Sequence, residues 1–81
     1  MVIRLFAHKI AAANNINNAF KAIEICENTA NLLANMFGGK TDCSSCGVVQ
    51  YSDIVIVPSL TEEQKQFITT TYPFVSIRES L

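Results

Sequence analysis

Eighty-one residues, 49% of them hydrophobic and 16% charged, suffice for one domain, residues 1–81, with a modest core. The formal net charge is −1 and no run of Lys or Arg occurs. A nucleic-acid or polybasic membrane-surface role needs a cationic footprint, so neither nucleic acid nor membrane is expected as a partner. No apolar run approaches the ~20 residues of a membrane span, and the charge-broken start of the chain is no secretory signal. A cytoplasmic protein is therefore expected. The abundance of Asn and Ile is a compositional hint of an AT-rich genome, such as that of many phages.

Residues 2–8 alternate and are rich in strand formers, which predicts a first strand. The pairs Asn14-Asn15 and Asn17-Asn18 offer N-caps for a long helix over residues 15–37, which Gly38 and Gly39 end. On a helical wheel Ile16, Phe20, Ile23, Ala30, Ala34 and Phe37 share one stripe. Ile25, Leu32 and Met36 form a second, roughly opposite, joined to the first through Ala22, Cys26 and Leu33. A single covering layer would leave that second stripe wet.

Residues 40–47 read as a loop. Residues 48–57 are β-forming, with Ile54-Val55-Ile56-Val57 as a central strand preceded by an irregular or edge strand. Pro58 ends it. Capping boxes at Ser59 to Glu62 or Thr61 to Gln64 start a short helix that ends near Thr71, anchored by Phe67 and Ile68. Residues 74–81 form a final strand with Val75, Ile77 and Leu81 on one face. The reading is an α+β two-layer sandwich in β-α-β-α-β order, with a three- or four-stranded sheet and both helices on one face.

Cys43-Ser44-Ser45-Cys46 is the sharpest local signal. Two thiolates from a tight knuckle could begin a zinc site, and the remaining soft ligands are Cys26 and His8. A redox CxxC needs its first cysteine at a helix N-terminus, whereas this motif follows a helix. Two free thiols in a polar loop are the plainer reading. Residues 34–41 formally fit a relaxed phosphate loop, but that mechanism needs a strand before the loop and a helix after it. Glu62 and Glu63 diverge by about 100° on a helix and make no facing acid–base pair.

These features point to a small non-enzymatic interaction or regulatory protein that acts through its long helix. A homo-oligomer, most simply a homodimer, and contact with another protein are expected, with Ala22, Ile25, Leu32 and Met36 at the surface concerned. No cofactor is expected. The alternative is a metal-stabilised or thiol-dependent module in which Cys43, Cys46, Cys26 and His8 hold zinc.

Overall fold

The computed structural model describes residues 2–42 and 52–80. Its elements run β1 (Val2–His8), α1 (Lys9–Ile16), α2 (Ala19–Phe37), β2 (Lys40–Asp42), β3 (Ser52–Val57), α3 (Glu62–Thr71) and β4 (Val75–Ser80). The fold is α+β. Its four-stranded sheet has the order β2-β3-β1-β4, and every neighbouring pair is antiparallel. Because β3 lies between β1 and β2, the connection through α1 and α2 is a split β-α-β crossover.

The expected β-α-β-α-β order is corrected in two places. The long helix is two helices. Asn17 adopts the left-handed conformation (φ 56°, ψ 37°), which Asn tolerates better than most residues. Asn18 then caps α2, its side-chain oxygen accepting from the Lys21 N–H at 3.1 Å. The segment before the break is helical because Ala11, Ala12 and Ala13 are the strongest helix formers available, and α1 packs back against α2. The second correction is β2, where a loop was expected. Lys40, Thr41 and Asp42 pair with Ile56, Val55 and Ile54. Of the irregular or edge strand expected before Ile54, Ser52 and Asp53 belong to β3, while residues 48–51 and the knuckle of Cys43 and Cys46 lie outside the described residues.

Two glycines make β2 possible. Gly38 ends α2 at φ +66°, a conformation that costs glycine little. Its N–H and that of Gly39 both donate to the Ala34 carbonyl. At Gly39 the constraint is space: a Cβ there would lie 2.4 Å from the Ile56 carbonyl oxygen and 2.5 Å from Val57 Cγ1.

Alternation sorts the sheet into two faces. Ile3, Leu5 and Ala7 of β1 pair with Val57, Val55 and Asp53 of β3, and all six are buried. Val75 extends this face onto β4 beside Ala7. The same apolar cluster takes in Ala12 of α1, Ala22, Cys26, Ala30 and Leu33 of α2, and Ile68 of α3. On α2 the buried arc is thus Ala22, Cys26 and Leu33, which the wheel treated as a join between two stripes, together with Thr29 and with Ala30 of the first stripe. Small side chains let the helix sit close to the sheet, and Leu33 supplies the bulk. Thr61 and Gln64 form the reciprocal capping box that starts α3, at 3.1 and 2.8 Å. Of the two expected anchors only Ile68 is buried. Phe67 is exposed and meets Tyr72 edge-on.

Candidate functional site

On α2, Leu32 (45% exposed) and Met36 (49%) stand one turn apart, with half-buried Ile25 two turns earlier. They border the buried arc rather than oppose it, as the wheel angles of about −100° for Ile25 and −120° for Leu32 from Cys26 require. Ala22 does not belong with them, because it is fully buried in the core. From Asn28 through Gly39 the chain carries no charged side chain, so the Leu32–Met36 end of the stripe is flanked by the amides of Asn28 and Asn35, while Lys21 stands one turn before Ile25. Phe20, 86% exposed, lies on the other flank of α2. Ile16 belongs to α1, so the break at Asn17 separates it from that flank.

The candidate zinc ligands do not converge. Cys26 is buried on the helix side of the sheet, whereas His8 lies on the opposite sheet face. There its Nδ1 meets Ser52 Oγ and its Nε2 meets Ser76 Oγ, both at 2.8 Å, so the ring ties β3, β1 and β4 together. In the neutral ring one of these nitrogens donates and the other accepts. Cys43 and Cys46 lie outside the described residues. Among the described residues no group of three His, Cys, Asp or Glu side chains could hold a metal ion. The phosphate-loop look-alike runs from helix to strand, the reverse of what that mechanism needs.

The core holds a charged pair that the sequence reading missed. Lys9 Nζ lies 3.2 Å from Asp53 Oδ1, and both side chains are buried. Cys26 is close enough to feel both charges. Burial first, and then the Asp53 carboxylate, push its thiol up to about 11, against a smaller opposing effect of Lys9. Such a thiol stays protonated and unreactive at neutral pH. Its pKa lies above the ordinary 9.0, so the folded state keeps a proton that the unfolded chain releases. The resulting stability is complete below about pH 9 and is lost as the pH rises toward about 11. Urea unfolding across that range should show a decline of up to roughly 2–3 kcal/mol that is absent in Cys26→Ala.

The other face of the sheet carries Arg4, Phe6 and His8 of β1. The register places Lys40, Ile56, Arg4 and Arg78 in one row across all four strands. The next row is Asp42, Ile54, Phe6 and Ser76. Arg78 holds its guanidinium 5.4 Å from the centre of the Phe6 ring, and the His8 ring lies nearly parallel to Phe6 at 6.2 Å. At one end of this face, Val2, Lys40, Ile56 and Pro58 help to line a mostly apolar hollow of about 410 Å³. No helix among the described residues is long and apolar enough to cross a membrane.

Compared with protein-family models, curated proteins and solved structures, the chain gives no match.

Proposed function

We propose that this chain is a small non-enzymatic interaction protein that pairs with a second copy of itself through α2. The observation that carries the reading is the exposure of Leu32 and Met36, one turn apart beside half-buried Ile25. Covering a Leu, a Met and part of an Ile contributes roughly 1.5–3 kcal/mol for each side chain taken fully out of water. The neutral surroundings of Leu32 and Met36 favour a second copy as the occupant. In a two-fold contact the residues near the axis meet their own counterparts; like charges there would repel, whereas amides can hydrogen-bond. From Ile25 to Met36 the stripe runs about 17 Å by residue count, roughly half of the 33 Å length of the domain.

Leu32→Asp should shift the protein to monomer in light scattering at high concentration, while its far-UV spectrum and melting transition stay close to wild type. A wild-type protein that is monomeric throughout the concentration series would remove this reading. The zinc alternative is answered separately, by metal analysis of protein purified without chelator.

A further inference from the structure

We propose that the sheet face opposite the helices binds single-stranded nucleic acid, with Lys40, Arg4 and Arg78 on the phosphates and the Phe6–His8 rings against the bases. The sequence expectation of no nucleic acid rested on a net charge of −1 and on the absence of basic runs. Neither measure registers where the cations go once the chain folds. Of six Lys and Arg residues, Lys9 is buried against Asp53 and Lys65 is held by Glu62 and Glu79. Lys21 stands on α2. The other three, from positions 4, 40 and 78, fall in a single row on one face, all exposed. The two rows described above contain only one acid, Asp42.

Arg4 and Arg78 are direct cross-strand partners. An anion laid along the row can meet both guanidiniums at once. Three strand spacings put Lys40 and Arg78 about 14 Å apart, which suits an extended polyanion better than one small anion. The hollow beside Lys40 takes in neither Arg4 nor Arg78, so a free nucleotide seated there would reach one of the three cations, whereas a strand laid along the row reaches all of them. The planar groups choose among polyanions: stacked rings and a guanidinium suit bases, whose faces are open in a single strand. Acidic peptides and lipid headgroups have no such planes to offer. This surface lies across the sheet from α2, so it stands or falls independently of self-association.

The test is fluorescence anisotropy with labelled twelve-residue oligo-dT and oligo-U, titrated with the full chain from 50 to 200 mM salt. Wild type should bind with a log–log salt slope near −2, from about 0.7 for each of three contacts. Arg78→Gln should weaken binding about five-fold and flatten the slope by ~0.7. Phe6→Leu should weaken it about ten-fold with the slope unchanged, and Lys21→Gln should change nothing. Lys40→Gln repeats the charge test on an exposed edge strand if another variant melts early. The proposal is overturned if wild type binds neither oligonucleotide. It is equally overturned if polyglutamate or phosphatidylserine vesicles compete as well as the oligonucleotides do, or if Lys21→Gln costs as much as Lys40→Gln.

Discussion

Asp53→Ala should destabilise the domain by about 3–5 kcal/mol in urea unfolding, the largest effect expected of any single substitution here. The substitution leaves the Lys9 ammonium among Ala12, Cys26 and the sheet without the carboxylate that now lies 3.2 Å away. A buried ammonium that loses its carboxylate has given up hydration for a smaller return. A domain of this length has a total stability of about 4–12 kcal/mol, so the variant sits near the edge of folding at 37 °C. Lys9→Met together with Asp53→Leu should restore most of the loss, because two apolar side chains of similar volume need no mutual neutralisation. If Asp53→Ala melted within a degree of wild type, the pair would be hydrated in solution and the core would be wetter than described.

Gly39→Ala is the second large effect, expected at about 1–3 kcal/mol or somewhat more. The new methyl group would press on the Ile56 carbonyl and on Val57, which are a sheet backbone atom and a buried side chain. Neither can move aside without loosening the three-residue pairing of β2 with β3. Amide exchange should therefore speed up first at Lys40, Thr41 and Asp42, while β1 and β4 keep their protection. Gly38→Ala provides the contrast. Space is open there, so only the positive φ penalises the change, by about 1 kcal/mol.

Local signals in the sequence were reliable where chain-local physics decides the outcome. The first strand, the glycine stop after Phe37, the Thr61 capping box and the end of α3 at Thr71 all follow from neighbouring residues. α1 was legible too, through three successive alanines, but the wheel began too late to include them. What could not be read depends on pairing across distance. Lys9 and Asp53 are ordinary surface types in the sequence, and only the β1–β3 register with the start of α1 encloses them together. The cation row is of the same kind, assembled from three strands far apart along the chain. The buried arc of α2 was misread because small residues weigh little on a wheel, although they allow the closest approach to the sheet. The exposed stripe of Leu32 and Met36, by contrast, was visible from spacing alone.

The central place of β1 in the sheet has a kinetic consequence. Leu5 is paired with Val55 on one side and with Ile77 on the other, so its two neighbours arrive about 50 and 70 residues downstream. Closing such long intervals costs entropy before any pairing returns it, which slows folding toward milliseconds or longer. On the ribosome the opening strand, with Ile3, Leu5 and Phe6 uncovered, must wait for most of the domain to be synthesised. During that interval the α1–α2 hairpin offers the first shelter, and the nascent chain is at its most vulnerable to association with the wrong strand.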